Sequence, residues 1–522
     1  MYQTTTVVTL LPRSIMNTTI LPNRTVHLAL RPWPWRVSYY FYQSGLWIPI
    51  VFLLFLFAQD PFSTASDYDY DEGINLMKTL LHEQHYRLYQ DIWSDQPPLF
   101  TVLLGGWFAL VGESTTTARI LIALFSALLL WSFYLSVHRS VTVFAAIGAT
   151  LLLVLSQFYL RLSSAVMIGL PALALAMAAI ACLVNARGRR PLLVLSALLM
   201  ALALETKLFV VILFLAIALY LLLSTPATFS WWRRLNSLFI WFAVVTVTFI
   251  ALSIYFGALN LDMLLTTHFG AQTRQQANFV QSGGEFLTTF LHEQPVYLAV
   301  AFIGLLYAIR QRKWVFVLPF AWFVTVALAF IFHRPLWYHH IMLLTIPMAW
   351  LCAFAIEAWG NVADHLIGQT TRRRLIQIAL LATTAVASIT VFLYYPAPLD
   401  KRLDEQAQIY RPLYIWEMVY QLQIDAQTQP GFVFTDRPFY AFQAGLPVTP
   451  PIAALSRKRL ESGVLTYDDM LAALTQYKPQ YIILQRFSDA EYSAEVMAEI
   501  HRHYELVLEI DPGRYYRRLP GG

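Results

Sequence analysis

The sequence predicts an α-helical polytopic membrane protein of about 11–13 transmembrane helices, followed by a small α/β domain. Of its 522 residues, 58% are hydrophobic and only 13% are charged, and the mean hydropathy is +0.53. A soluble chain of this length cannot bury so much apolar surface, and many apolar runs approach the length of a membrane-spanning helix. After Pro396 this pattern stops, and the composition becomes mixed and charged.

The apolar runs set the predicted spans. We place them at 40–59, 98–112, 117–137, 141–160, 165–184, 191–205, 208–224, 238–256, 295–309, 314–332, 338–358 and 375–395. Several are shorter than the roughly 20 residues of a full transmembrane helix, so their boundaries are approximate.

The positions of Lys and Arg predict the sidedness of the loops. Clusters of these residues occur at Arg139, Arg187, Arg189, Arg190, Arg233, Arg234, Arg310, Arg312, Lys313 and 372–374. We assign these loops to the cytoplasm together with the N-terminus. Loop 60–97 carries eight acidic residues against two basic ones, and we assign it to the outside.

This assignment requires that one apolar segment does not cross the membrane. Segment 98–112 follows Pro97-Pro98 and contains Gly105-Gly106. We expect it to dip into the membrane and return, which leaves about eleven spans and an external C-terminus. A further crossing elsewhere in the chain is the alternative.

Three regions follow from these spans. Residues 1–38 form a cytoplasmic N-terminal tail, 39–398 the transmembrane domain, and 399–522 a soluble extracytoplasmic α/β domain. In the last region, apolar runs at 431–436, 481–484 and 504–510 predict strands, with helical stretches between them.

Composition excludes some classes of function. The net charge of +5 is small for this length, so nothing indicates a nucleic-acid partner. Cys182 and Cys352 lie inside apolar runs without metal-ligand spacing, so they predict neither a disulfide framework nor a zinc site.

The acidic loop carries the strongest candidate for chemistry. Asp71 and Glu72 precede an apolar stripe at Ile74, Met77, Leu80 and Leu81, which predicts a short helix along the membrane surface. Acids at a helix start often serve as caps. Alternatively, an ionised carboxylate is a general base for a hydroxyl group. One base suffices for an inverting glycosyl transfer, whereas two acids permit a retaining one.

The loop also resembles a known family. Asp71-Glu72 follows the first span, then come a surface helix, Leu88-Tyr89-Gln-Asp91-Ile-Trp93 and Pro97-Pro98-Leu99. This order is similar to the first external loop of GT-C membrane glycosyltransferases that use polyprenyl-phosphate sugars, the protein O-mannosyltransferase and aminoarabinose transferase superfamily. The resemblance implies Asp71 as the base, Glu72 as its support, and Asp91 as a second acid near the substrates.

The resemblance also implies a lipid phosphate as the leaving group, which requires cations at the outer membrane surface. The candidates at span ends are Arg161, Lys207, Arg334, His339 and His340. Membrane anchoring is the alternative for Arg161 and Arg334, and a surface pair with Glu205 is the alternative for Lys207. The two histidines are a weak candidate for zinc, since no third ligand has matching spacing.

The C-terminal domain resembles the soluble module of prokaryotic members, through Phe434-Thr-Asp436-Arg-Pro, Ala441-Phe-Gln-Ala-Gly445-Leu-Pro and Ser456-Arg-Lys-Arg-Leu. A carboxylate after a strand, such as Asp436, can mark a ligand crevice in α/β folds. A docking or stabilising domain without catalysis is the other interpretation.

We therefore predict a multi-pass cell-membrane glycosyltransferase. It moves a sugar from a polyprenyl-phosphate donor to an acceptor hydroxyl on a protein, lipid or glycan outside the cytoplasm. A single Asp base favours transfer with inversion. Because some relatives need a divalent metal, Mg²⁺ or Mn²⁺ near the acids is a candidate cofactor. A multi-span transporter or lipid-carrier flippase is the alternative, and a non-catalytic membrane scaffold is a second one.

Overall fold

The computed structural model describes residues 44–59, 62, 67–224, 229–258, 283–332, 336–367, 412–461 and 463–521. Segment 375–395, the cations at 372–374 and Arg334 lie outside the described residues. The predicted fold class is confirmed: the chain is mostly helical, with a four-stranded sheet near its C-terminus. Each of the other predicted apolar segments is helical.

The apolar helices form the first part of the chain. In order they are α1 (Trp47–Gln59), α2 (Tyr70–Glu83), α3 (Leu99–Val111), α4 (Thr115–His138), α5 (Val143–Val154), α6 (Gln157–Leu162), α7 (Gly169–Ala186), α8 (Arg190–Thr206), α9 (Phe214–Leu223), α10 (Trp231–Tyr255), α11 (Gly283–Glu293), α12 (Pro295–Arg310), α13 (Val317–Phe332) and α14 (Met342–Ile367). Short 3₁₀ turns at Leu208–Leu213, Trp314–Phe316 and Tyr338–Ile341 lead into α9, α13 and α14.

Within the described part of the chain, five helical segments are long and apolar enough to cross a bilayer by themselves. They are Thr115–His138, Gly169–Ala186, Trp231–Tyr255, Trp314–Phe332 and Tyr338–Val362. Burial separates them: most of α7 is buried among other helices, whereas α10 exposes large side chains such as Phe239, Val247 and Ile254. An apolar side chain exposed along a spanning helix is expected to face lipid.

The loops with basic clusters meet at one end of the helix bundle. Lys313 Nζ donates to the Ser140 carbonyl oxygen at 3.0 Å, and Arg234 donates to the Leu222 carbonyl oxygen at 2.7 Å. Arg139 lies within charge–charge range of Arg187. The acidic loop contacts Arg119 near the start of α4 and Val166 just before α7. The described basic clusters and the acidic loop therefore lie at opposite ends of these two helices.

Segment 98–112 differs in form from the prediction. It does not turn back on itself: α3 runs unbroken through Gly105 and Gly106. The segment nevertheless stays at the end of the helix bundle that the acidic loop contacts. Near its end, the Phe108 ring stacks on Phe442 of the C-terminal domain at 6.1 Å, and α4 begins beside the acidic loop. A 13-residue helix rises only about 20 Å, and α3 contacts the surface helix α2 along its course.

The C-terminal domain contains α15 (Pro412–Thr428), β1 (Val433–Thr435), α16 (Pro438–Gln443), α17 (Arg457–Glu461), α18 (Tyr467–Tyr477), β2 (Tyr481–Leu484), α19 (Ala494–His503), β3 (Tyr504–Ile510) and β4 (Gly513–Arg518). The strand order is β1-β2-β4-β3. Strands β1 and β2 are parallel and buried, with Phe434 opposite Ile482, while β4 pairs antiparallel with β2 and β3.

Helix α16 packs directly on the surface helix α2, and Gly73 makes the close approach possible. A Cβ atom at Gly73 would lie 2.6 Å from the Phe439 backbone nitrogen and 2.8 Å from its Cβ. Such distances require the backbone of one helix to move. Gly73 directly follows Glu72 and lies two positions after Asp71 in the sequence. The contact therefore holds the C-terminal domain close to both acids.

We expect Gly73→Ala to destabilise this docking although alanine is the better helix former. Overpacking of this kind costs about 1–3 kcal/mol, so the thermal midpoint in detergent should fall and amide exchange in α16 should rise. The matched control is Gly106→Ala, because nothing lies within 4 Å of a Cβ there. That change should be neutral or stabilising by up to about 1 kcal/mol. Equal changes in the thermal midpoint of both variants would contradict the role of Gly73 in the contact between α2 and α16.

A candidate active site between the acidic loop and the C-terminal domain

Helix α2 is the platform of the site. Its N-cap is Asp69, whose carboxylate accepts from the Asp71 backbone nitrogen at 3.0 Å. Asp71 and Glu72 occupy the first turn, where the helix dipole stabilises a negative charge by about 0.3–1 kcal/mol. The capping role that the sequence allowed for the acids therefore belongs to Asp69.

Glu72 points into the protein and is fully paired. Arg119 of α4 binds it through two nitrogens, each 2.8 Å from a different carboxylate oxygen, and both side chains have no exposed surface. Backbone nitrogens of Tyr68 and Val166 donate to the same carboxylate at 2.9 and 3.3 Å. These contacts favour a positioning role for Glu72, because no oxygen is open to a substrate.

Two neighbouring acids are held by other parts of the chain. Asp67 forms a buried ion pair with Arg437 of the C-terminal domain at 2.8 Å. Asp69 accepts from the Tyr338 hydroxyl at 2.7 Å, beside the start of α14. Each acid therefore ties the loop to a different element.

Asp71 is different, because its carboxylate accepts no hydrogen bond from the described residues. The residue is exposed, so water and a substrate can reach it. Surrounding protein still desolvates it, and this burial, with the Asp69 charge next in size, raises its pKa to about 6. Lys207 and Arg486 oppose the increase, whereas Asp95 adds to it. A base with this pKa is suited to proton abstraction near neutral pH.

Lys78 and Asp95 join this group, although neither was a candidate site residue from the sequence. Lys78 lies two helical turns after Asp71, on the same side of α2. It is buried, its Nζ is 3.4 Å from the Ser94 hydroxyl, and desolvation lowers its pKa against the charges of Asp95 and Asp71. The spacing of seven residues between Asp71 and Lys78 is the sequence signal that could have placed both on one side of α2.

Candidate cations from the spans converge on the same place. The Arg161 guanidinium lies 4.2 Å above the Tyr338 ring, and Tyr338 binds Asp69. Lys207 and Arg161 both lie within charge–charge range of His339. Arg161, Lys207 and His339 come from chain segments far apart in sequence, so only the fold brings them together.

The fold is similar to that of known structures. A family model described as dolichyl-phosphate-mannose-protein mannosyltransferase matches residues 95–256. ArnT from Cupriavidus metallidurans, in a crystal structure bound to undecaprenyl phosphate, superposes with a TM-score of 0.60 at 13% identity, over 86% of this chain and 94% of that one. The archaeal oligosaccharyltransferase AglB from Archaeoglobus fulgidus, in complex with an inhibitory peptide and a dolichol-phosphate, gives 0.54 at 11% identity, over 86% and 70%. The chain has the GT-C fold of membrane glycosyltransferases. No curated protein matches it by sequence.

Within this GT-C fold, His340 differs from His339. His340 is buried, stacks on Phe209 with ring centroids 5.0 Å apart, and its Nδ1 accepts from the Trp337 backbone nitrogen at 3.1 Å. These contacts favour a packing role for His340. Arg334, the remaining predicted phosphate ligand, is outside the described residues.

Lys207 does not pair with Glu205, as the surface-pair alternative required. Glu205 is buried and accepts a hydrogen bond from the Ser253 hydroxyl of α10. Lys207 instead ends α8 with an extended backbone, and its Nζ lies 3.6 Å from the position of a Cβ at Gly169. The backbone change at Lys207 therefore turns its side chain away from Glu205 and toward the start of α7.

Asp91 lies apart from Asp71. It is in a tight turn and pairs with Arg87, whose backbone nitrogen and Nε lie 2.8 and 3.3 Å from its Oδ2. The backbone bond is the first cause of a lowered Asp91 pKa. The acid of this loop that interacts with Asp71 is Asp95, so the predicted role of Asp91 near the substrates has no contact that supports it.

The donor set does not fit a protein-held divalent metal. Among the described residues no three His, Cys, Asp or Glu side chains group at metal-binding distance. Asp67 and Asp69 are already bound to Arg437 and Tyr338, and the positive charges near Asp71 are lysine and arginine side chains.

We expect Arg119→Met to destabilise the protein strongly, because it leaves the Glu72 charge buried and unpaired. Breaking a buried ion pair in this way costs about 3–5 kcal/mol. The double variant Glu72→Met/Arg119→Met should lose less than the single one, since both charges are removed. Chemical unfolding in detergent measures these two variants and the single variant Glu72→Met. Additive losses would show that the two side chains do not depend on each other.

Proposed function

We propose that the protein transfers a sugar from a polyprenyl-phosphate donor to an acceptor hydroxyl, with Asp71 as the general base. One observation carries the proposal. Of the acids clustered at the start of α2, Asp71 is exposed and holds no hydrogen-bond partner among the described residues, and cations from the spans lie close to it. The donor class follows the undecaprenyl phosphate and the dolichol-phosphate bound in the ArnT and AglB structures.

The proposed reaction is a single displacement with inversion. The acceptor O–H gives its proton to the Asp71 carboxylate while the acceptor oxygen bonds to the anomeric carbon. The bond between that carbon and the phosphate oxygen breaks, and its electron pair stays on the leaving polyprenyl phosphate. One exposed carboxylate suits this chemistry better than the two-carboxylate retaining route, since Glu72 is occupied by Arg119.

The cations stabilise the leaving group in this proposal. Its phosphate gains negative charge as the sugar departs, and donors already in place favour that transition state. Lys207 and Arg161 are the described side chains that we assign to the phosphate, with His339 within charge–charge range of both. Arg334 keeps its proposed phosphate role from the sequence. No step requires a metal.

The proposal places this chemistry outside the cytoplasm. Basic loops gather at the other end of the bundle from the acidic loop, and Lys- and Arg-rich loops favour the cytoplasmic side of membranes. The N-terminus is then cytoplasmic and the C-terminal domain external. The acceptor is a hydroxyl of a protein, lipid or glycan there.

We expect Asp71→Asn to reduce sugar transfer by about 10²–10⁴-fold, the usual contribution of a general base. Stability should change little, because the carboxylate makes no hydrogen bond with the described residues. Transfer of radiolabelled sugar in membranes or proteoliposomes measures the effect. The matched control is Asp468→Asn, an exposed acid of α18. Retained transfer in well-expressed Asp71→Asn protein would remove Asp71 from the base role.

The pH profile provides a second test. Since the pKa of Asp71 is raised to about 6 and the base must be ionised, kcat/KM should fall tenfold per pH unit below about pH 6. The Lys207 charge lowers this pKa and the Asp69 charge raises it. Lys207→Gln should therefore move the acidic limb to higher pH, and Asp69→Asn to lower pH. Asparagine is also a good N-cap, so α2 should persist. If the acidic limb of the kcat/KM profile stays in place in both variants, the titrating group is not Asp71.

A further inference from the structure

The edge of the C-terminal sheet that faces the site is the end where ligands bind in α/β folds. Asp436 and Arg437 follow strand β1, and Gln485 and Arg486 follow the parallel strand β2. The carboxyl ends of parallel strands form one edge, and loops there commonly contact ligands. Here that edge lies against the start of α2, because Arg437 binds Asp67 and Arg486 contacts Tyr70.

The backbone at Arg486 is held in place by a buried carboxylate. Asp436 accepts from the backbone nitrogens of Gln485, Arg486 and Phe487, with shortest distances of 2.9, 2.8 and 2.9 Å. The Tyr492 hydroxyl donates to it as well, at 3.1 Å. Desolvation raises the Asp436 pKa, and these backbone bonds oppose that change. The carboxylate predicted to mark a ligand crevice thus fixes a loop.

The side chain of Arg486 is also oriented, but by an aromatic ring. Its guanidinium carbon lies 3.5 Å from the centroid of Tyr70, the residue before Asp71. The Nη1 atom is buried without a hydrogen-bond partner, as expected for a nitrogen that packs on a ring. The residue as a whole is only half-buried, so part of the guanidinium remains accessible.

Arg486 differs from Arg437 in its charge partner. Arg437 has a carboxylate at 2.8 Å, whereas no carboxylate of the described residues lies within 4 Å of Arg486. A guanidinium that is held by its backbone and by a ring, yet has no anion beside it, is ready to bind one that arrives from outside. Arginine is well suited to this, because its planar fork makes two parallel hydrogen bonds to a phosphate.

We propose that Arg486 is a substrate-contacting residue that binds a phosphate group carried by one of the two substrates. This rests on the proposed function, in which the donor carries a phosphate. The C-terminal domain then supplies part of the active site. The Arg486 charge also reaches Asp71 itself, which agrees with a position at the reacting groups.

The test measures binding, so it does not depend on sugar transfer. Full-length protein in detergent is titrated with polyprenyl monophosphate and with the matching polyprenol, which separates phosphate binding from lipid-tail binding. We expect Arg486→Gln to weaken monophosphate binding tenfold or more, Arg486→Lys to recover part of it, and polyprenol binding to be unchanged. The control is Arg502→Gln, which removes an exposed guanidinium paired with Glu499.

A second titration identifies the source of the phosphate. If Arg486→Gln binds the monophosphate normally, inorganic phosphate is added to protein saturated with that lipid. Weaker binding of inorganic phosphate by the variant then assigns Arg486 to a phosphate on the acceptor. Unchanged binding of both probes overturns the inference, even if the variant shifts the pH profile.

The outcomes separate this inference from the proposed function. Wild-type protein that binds monophosphate through Arg486 but transfers no sugar would contradict the function and leave the phosphate site intact. Wild-type protein that transfers sugar, with both probes binding equally to Arg486→Gln, would contradict the inference alone. Thermal midpoints without ligand confirm that each variant is folded.

Discussion

The site depends first on the buried ion pair between Glu72 and Arg119. It joins the surface helix to a residue near the start of a long span, and both charges are removed from water. Such a pair gains stability only when its remaining hydrogen bonds are satisfied, and here backbone nitrogens of Tyr68 and Val166 complete the carboxylate. The Arg119 guanidinium also lies 4.0 Å from the Tyr68 ring, which orders the chain just before α2.

The acidic side chains at the start of α2 point in different directions because of their order in the sequence. Successive residues of a helix point about 100° apart, so Asp71 and Glu72 cannot share a partner. Glu72 faces the spans and binds Arg119, while Asp67 and Asp69 bind the C-terminal domain and the start of α14. Three carboxylates hold the helix in position, and the fourth is left for substrates. In the adjacent pair, Glu72 therefore anchors the helix, and Asp71 is available for chemistry.

Local patterns in the sequence predicted the helices and supplied several residues of the candidate site, among them Asp71, Lys207 and His339. Apolar runs located the spans, basic clusters divided the loops, and the stripe from Ile74 to Leu81 predicted α2. The partners of the acids were not predictable in this way. Arg119, Arg437 and Arg486 lie 47 to 415 positions from the residues they serve, Glu72, Asp67 and Asp71, and an arginine near a span end looks the same whether it anchors a helix or pairs with an acid. Segment 98–112 was misjudged in form because a glycine pair suggests a turn, whereas Gly105 provides space beside Glu83.

A base for this reaction must satisfy two opposing requirements, and the position of Asp71 meets both. Full exposure would leave the carboxylate near its ordinary pKa of 3.8, where it is a weak base. Full burial would require a partner such as Arg119, which would block the substrate. Partial desolvation at the junction of spans and C-terminal domain raises the pKa to about 6 while the residue stays exposed. At neutral pH roughly nine-tenths of the carboxylate is then ionised, and it is a stronger base than in water. The C-terminal domain contributes to this balance through Arg486, whose charge lowers the pKa of Asp71.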